Sequence, residues 1–424
     1  MKITVHRGLN QIGGCITEIS TETSRVFIDF GQNLPGNTAT LSFEEQVKED
    51  TLLVERILTL NKREHEAVIF THAHEDHVGL ISHLPNEMPI FMGEGTRDIL
   101  LAKYDLLAHH ALKQLLTKMR KEKAPSTARR KVQQQAIVAE RTYFLVENAH
   151  TWTRTKPRQR PKNFSVGNIR ITPFFNCHSC YDSHMFLIEA DGQRIWHTGD
   201  YREHGYMGKG LFPTLRKYAT NIDTLITEGT MLNREDICIH EHEVMTKMGY
   251  VMQAFKYVFV LASATDIERL ASVKEAAKIA HKPLYTGSAL MNRCMKIYSQ
   301  REAEASKGLF EFKAHFFTDH SLATIKRKGM VLAFGTGQTE RIEELAQQLP
   351  PKEVLFIYAS WDGYYKDPAQ ITHNSKYKEL HNFFPNVVDI HTSGHADRNT
   401  IHEVIKTISP RKVICIHKEE DVKL

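Results

Sequence analysis

Apolar and polar positions along this chain fall into two rhythms. Near the amino terminus, alternation predicts three strands, Ile3 to Val5, Cys15 to Ile19 and Val26 to Phe30, separated by Gly13-Gly14 and by the polar turn Thr21 to Ser24. Helical spacing follows at Leu52, Leu53, Val54, Ile57 and Leu58, then the apolar strand Ala67 to Phe70. A short helix is expected from His77 to Leu84, ended by Pro85. Residues 95 to 140 read as helical with a break near Ala124-Pro125-Ser126, and strands resume at Asn168 to Phe174, His184 to Glu189 and Arg194 to Thr198, the last two joined by the hairpin signal Asp191-Gly192. From Ile222 onward short apolar strands alternate with helices: Leu225 to Thr227, Val258 to Leu261, Pro283 to Thr286, Met330 to Phe334 and Val354 to Ile357. That rhythm predicts parallel β-α units with helices on both faces of a sheet. The chain closes with strand Val387 to Ile390, helix Arg398 to Ile408 and strand Val413 to Ile416.

The densest chemistry sits where the strand Ala67 to Phe70 ends, in His72-x-His74-x-Asp76-His77. In an extended loop His72 and His74 project to one side, while Asp76 and His77 face a second point, an arrangement suited to a pair of divalent cations. A closed structural zinc site would favour cysteine, and this cluster has none. Further ligands should come from other strand ends. His178 follows the strand ending near Phe175, Asp200 follows Ile195 to Gly199, and His417 follows Val413 to Ile416. Asp200 can bridge two ions because a carboxylate has two oxygens. Two cations sharing one water lower its pKa toward neutrality, which makes a metal-bridging hydroxide the expected nucleophile.

Taken in order, these residues resemble the metallo-β-lactamase fold hydrolases, and specifically their β-CASP branch of ribonuclease J-like, RNA 3′-end cleavage and DNA-repair nucleases. The resemblance rests on Ile28-Asp29-Phe30-Gly31, the His72 to His77 cluster, His178 to Ser183, Thr198-Gly199-Asp200, Thr227-Glu228-Gly229-Thr230, Ser263 to Arg269, Gly335 to Glu340, Ser393-Gly394-His395-Ala396 and Ile416-His417. It implies an α/β fold, an αββα metallo-β-lactamase sandwich with an inserted parallel-sheet β-CASP domain. The sandwich would take residues 1–227 and 386–424, with a basic helical insert at about 97–163, and the β-CASP domain 228–385. By resemblance His72, His74 and His178 hold one metal, Asp76, His77 and His417 the other, and Asp200 is shared. Asp76, Asp200, Glu228 and His395 would be catalytic, with Glu228 and His395 both open as the general acid. Asp29 would position the histidine loop, and His184 would support the ligands from behind. Lys418 departs from the small residue the family tends to place after its last histidine.

Small-residue turns supply candidate phosphate sites: Thr336, Gly337 and Gln338 at a helix start, and Ser393, Gly394 and His395. The expected cofactors are two divalent cations, zinc foremost with manganese as the alternative. A histidine at position 417 is similar to the RNA-acting members, so single-stranded RNA is the expected partner; a DNA nuclease and a small-molecule hydrolase of lactonase or thioesterase type are the alternatives. The chain runs only seven residues past His417, without the pairing module of many ribonuclease J-like proteins, and a homodimer stays open.

Charge sharpens the partner. The 424 residues carry only +5 overall, yet Lys113 to Lys162 holds 14 basic and 3 acidic residues, a local +11 suited to phosphate backbones. No apolar run reaches the roughly 18 residues of a membrane helix, and the amino terminus lacks the pattern of a secretion signal. The six cysteines are scattered, and Cys177-x-x-Cys180 encloses a ligand candidate, so free thiols and a cytoplasmic location are expected.

Overall fold

The computed structural model describes all residues except 35–40, 119–125, 147–161, 236, 303–307 and 421–424. Three six-stranded sheets organise it. The first contains β1 (Lys2–Arg7), β2 (Ile16–Ser20), β3 (Ser24–Ile28), β4 (His65–Ile69), β5 (Ile90–Met92) and β6 (Tyr143–Leu145) in sequence order. It is antiparallel through β3 and parallel from β3 to β6. The second continues with β7 (Phe164–Val166), β8 (Ile169–Asn176), β9 (Ser183–Ala190), β10 (Gln193–His197) and β11 (Thr224–Glu228). The third is wholly parallel and contains β12 (Tyr257–Leu261), β13 (Leu284–Thr286), β14 (His315–Phe316), β15 (Met330–Phe334), β16 (Val354–Tyr358) and β17 (Val387–Asp389). The last strand, β18 (Lys412–Ile416), returns to the second sheet beside β11.

Alternation builds the sandwich. Ile19, Val26, Ile28, Ala67 and Ile69 from the first sheet meet Ile171, Phe186, Ile188, Ile195 and Ile226 from the second in one buried layer. The opposite face of the first sheet packs Phe27, Val68 and Phe70 on Val54 and Ile57 of the helix Phe43–Thr59. The outer face of the second packs Trp196 and Leu225 on Leu211, Leu215, Ile401 and Val404 from the helices Leu211–Tyr218 and Arg398–Ile408. These four layers are the expected αββα sandwich. The third sheet is apolar on both faces, as a parallel sheet between helices must be.

Local expectations changed at several places. The predicted helix from His77 to Leu84 is one turn, Glu75–Val78, followed by a 3-10 turn at Ile81–His83. Gly79 at the break sits where a Cβ would lie 2.5 Å from the Glu75 carbonyl. Strands β5, β6, β7 and β14, of two or three residues, were not anticipated, whereas the equally short β13 and β17 were, from the strand-helix alternation around them. The helical region resolves into Glu94–Lys118 and Ser126–Glu140, and the first of these packs on the helix Ala289–Glu302 with an Asp105–Arg293 ion pair. Of the basic stretch, Arg120, Lys121, Lys123, Arg154, Lys156, Arg158 and Arg160 lie outside the described residues. No helix among the described residues is long and apolar enough to cross a membrane.

Candidate metal centre

The carboxyl ends of four strands and their exits deliver the candidate ligands. His72 and His74 follow β4, with Asp76 and His77 in the one-turn helix beyond it; His178 follows β8, Asp200 follows β10 and His417 follows β18. Backbone bonds anchor the histidine loop to the first sheet. Cys15 N donates to Asp76 O at 3.0 Å, Phe30 N to His77 O at 2.8 Å and Gln32 N to Glu75 O at 2.9 Å. Gly31 makes this closeness feasible, since a Cβ there would lie 1.7 Å from the Asp76 carbonyl oxygen.

All seven expected donors meet in one buried pocket, in two sets. His74 Nδ1 lies 3.1 Å from His72 Nε2 and 3.2 Å from His178 Nε2. Asp76 Oδ2 lies 3.1 Å from His417 Nε2 and 3.9 Å from His77 Nε2. Asp200 Oδ2 stands between the sets, 4.0 and 3.9 Å from His72 and His178 Nε2, and 3.0 and 3.7 Å from His77 and His417 Nε2. His77 Nε2 is buried and, among the described residues, has no partner in hydrogen-bond geometry, although Asp200 Oδ2 lies 3.0 Å away. Converging imidazole nitrogens, an orphaned ring nitrogen and a central carboxylate form a donor set that fits divalent metal.

The outer nitrogens of these rings are fixed one by one. Asp29, at φ +63, accepts from His77 Nδ1 at 2.7 Å, from Thr71 N at 2.7 Å and from Thr71 Oγ1 at 2.8 Å. His178 Nδ1 donates to the Gly394 carbonyl at 2.7 Å, and Thr71 Oγ1 lies 2.9 Å from His72 Nδ1. His417, at φ +54, has its Nδ1 2.7 Å from Thr230 Oγ1. Such partners set which nitrogen faces a metal. Thr71 and Thr230 were given no role by sequence reasoning, although each belongs to a quoted motif or adjoins one.

Electrostatics divide the same residues. Burial pushes His72 and His178 well below the usual imidazole range and His74 down to about 4, leaving neutral rings with free lone pairs. Burial also opposes charge on Asp76 and Asp200, but the surrounding histidines, His77 and His417 foremost, hold both well below the usual carboxylate range. His77 is held well above the ordinary imidazole range, because Asp200, Asp29 and Asp76 outweigh its burial.

Glu228 and His395 form a pair beside the candidate ligands, with His395 Nδ1 2.8 Å from Glu228 Oε2 and 3.8 Å from Asp200 Oδ2. Burial works against charge on His395, yet Glu228, Asp200 and Asp76 raise it to about 8. The His395 side chain is 22% exposed and that of Glu228 1%, so the imidazole is the member within reach of a substrate. Ser393 O accepts from Arg202 and His204, which braces the turn carrying Gly394 and His395. Thr336, Gly337 and Gln338 form a 3-10 turn after β15 whose hydrogen bonds are local rather than to the cluster. The His184 ring has Nε2 3.8 Å from Asp182, and its backbone N donates to Thr71 O at 3.0 Å, tying β9 to the histidine loop. The helix starting after Thr265 adds an unanticipated contact, Thr265 Oγ1 3.4 Å from His74 Nε2.

All six cysteines are free. Cys177 donates to Glu268 at 3.3 Å. Cys15 was overlooked: its thiol shares a 4.8 Å neighbourhood with ring nitrogens of His77 and His417, and burial, foremost, pushes its pKa well up.

Residues 385–424 match a domain described as the Zn-dependent metallo-hydrolase RNA specificity domain. An "RNase J-like protein" of Methanocaldococcus jannaschii is 23% identical over 98% of this chain and 91% of its own length. "Ribonuclease J" of Helicobacter pylori is 26% identical over 48% of this chain, and "Endoribonuclease YSH1" of Gibberella zeae is 27% identical over 37%. Those two matches span 23% and 19% of the relatives' own lengths. A crystal structure of a protein of unknown function from Enterococcus faecalis shares the fold, with a TM-score of 0.69, 17% identity, and coverage of 99% of this chain and 94% of that one.

Proposed function

We propose that this chain, a β-CASP member of the metallo-β-lactamase fold, is a hydrolase that cuts single-stranded RNA at phosphodiester bonds using two divalent metal ions. The carrying observation is Asp200 Oδ2, within 4.0 Å of ring nitrogens from both histidine sets. His72, His74 and His178 would hold one ion, Asp76, His77 and His417 the other, with Asp200 common to both; zinc suits the imidazole-rich set and manganese is the alternative. When bound, such a pair supplies an activated water and neutralises charge on a phosphoryl group.

The chain's own groups supply the rest. His395, held protonated near neutrality by Glu228, offers a hydrogen bond to a phosphoryl oxygen and a proton to the leaving oxygen. Glu228 keeps the ring oriented, and its own position is fixed by the Tyr201 N–H at 2.8 Å. Ser393 and Gly394 would contact the phosphate next to His395. Residues 1–227 and 386–424 would act as the catalytic body, with 228–385 clamping the strand. RNA is favoured by the RNA-specificity domain match at 385–424, which contains His395 and His417.

The test is end-labelled RNA and a matched DNA strand, assayed with zinc and with manganese. Wild-type protein should cut RNA, whereas Asp200→Ala and His74→Ala should lose more than about a thousandfold in rate while keeping a native circular dichroism spectrum. Cleavage by either variant at near wild-type rate would defeat the assignment; preferential cutting of DNA would move the substrate to the DNA branch.

A further inference from the structure

Beyond β16 the chain gathers three rings into one array. Trp361 meets Tyr364 edge-on at 5.3 Å, and Tyr364 stacks on Tyr377 at 4.7 Å with planes 19° apart. All three are half-buried, so aromatic surface stays open to solvent instead of closing into the core. Gly363 permits the array, because a Cβ there would lie 2.2 Å from the Trp361 ring.

A cation completes it from another part of the fold. Arg234, six residues past Glu228, lays its guanidinium over Trp361, 4.7 Å from the ring centroid. Among the described residues its guanidinium has no carboxylate partner, and its hydrogen bond is to Met231 Sδ at 3.4 Å. The loop carrying it also carries Thr230, which bonds His417 and His395. Through Thr230 this loop is tied to the metal pocket, and through Arg234 it is tied to the array.

We propose that Trp361, Tyr364 and Arg234 form a nucleotide subsite next to the scissile position, with the aromatic surface stacking one unpaired base and the guanidinium binding the adjoining phosphate. This rests on the ribonuclease reading and specifies how the strand is held. A guanidinium stacked on indole keeps its N–H edge outward, in the plane that phosphate oxygens match. Bases offer the same π-face whatever their identity, and only unpaired bases can present it, so the subsite selects single strands without reading sequence.

The experiment uses the zinc-loaded full chain and a series of single-stranded RNAs, each with one abasic position. One position within about two nucleotides of the cut should raise KM roughly tenfold when its base is removed. Arg234→Ala, a half-exposed residue outside the core, and Trp361→Leu should erase that positional effect. Their loss in kcat/KM on RNA should exceed their loss on bis(p-nitrophenyl) phosphate, which has no base, by about tenfold. A flat abasic profile, or equal losses on both substrates, in a protein that cuts RNA would overturn the subsite alone. A wild-type protein that hydrolyses the small diester but not RNA would overturn the ribonuclease reading and the subsite with it.

Discussion

The outer nitrogen of each candidate ligand has a partner of its own, and that is where single-residue chemistry can be tested. Thr230 Oγ1 faces His417 Nδ1 at 2.7 Å, so Thr230→Val removes one oxygen while keeping shape. It should weaken zinc binding at the His417 side by roughly ten- to a hundredfold and leave the His72 side nearly unchanged. A chelator-competition titration resolving two classes of zinc would show one class shifted; two unshifted classes would deny Thr230 its role. The candidate ligands were legible because they are histidines and aspartates clustered within a few residues of the end of an apolar strand, where the chain must leave the sheet. Thr71, Thr230 and Thr265 were not, because a hydroxyl's partner depends on which residues from remote segments stand opposite. Cys15 was hidden for the same reason: only pairing of β2 with β3 brings it beneath His77 and His417.

Among the elements, apolar strands set in a regular strand-helix alternation and capped helices declared themselves, while β5, β6, β7 and β14 exist only through their neighbours. Strands β5 and β6 extend the first sheet by parallel pairing with β4 and with each other. Nothing in three residues can announce that. The turn Glu75–Val78 is likewise imposed from outside, by backbone bonds from Cys15, Phe30 and Gln32. The same packing yields a prediction about glycine. Gly31→Ala would drive a methyl group into the Asp76 carbonyl, 1.7 Å from its ideal Cβ position, and backbone has no rotamer with which to yield. The histidine turn must move away from the exit of β3, costing at least about 2 kcal/mol of stability and displacing Asp76 and His77 together. Thermal melts should therefore fall alongside zinc affinity at the His417 side; an alanine variant with wild-type melting and zinc binding would show that the contact can relax cheaply.

For the molecule as a whole, the junction between the sandwich and the third sheet is built from buried charge. Arg202 bonds Asp266 and Glu268 at 3.1 and 2.8 Å, and Arg269 bonds Glu241 at 2.9 Å. Two neutral imidazoles seal the same region: His204 Nε2 donates to Ser393 O at 2.8 Å, and His391 Nδ1 accepts from Arg269 at 3.1 Å. Burial, reinforced by the adjacent arginines, lowers His204 to about 4 and His391 to about 3. Both fall below the ordinary value of about 6.5 that an unfolded chain shows. As pH drops below that value the unfolded state binds protons that the folded state refuses, so stability falls with pH, by about 1.4 kcal/mol per pH unit for each such histidine, until the folded pKa is reached. Glu241, held down to about 2 by Arg269 and Arg202 against its burial, extends the loss below about pH 4.5. Asp266 and Glu268 run the other way, since burial raises them despite Arg202, and protonating them at low pH favours the folded state. Between about pH 6.5 and 5 the histidines should dominate, because their windows open first. Urea melts across that range should show stability declining with acid, and His391→Gln, which keeps an acceptor for Arg269 but cannot titrate, should flatten the slope by about one proton. An unchanged slope in that variant would show that His391 does not carry the acid sensitivity.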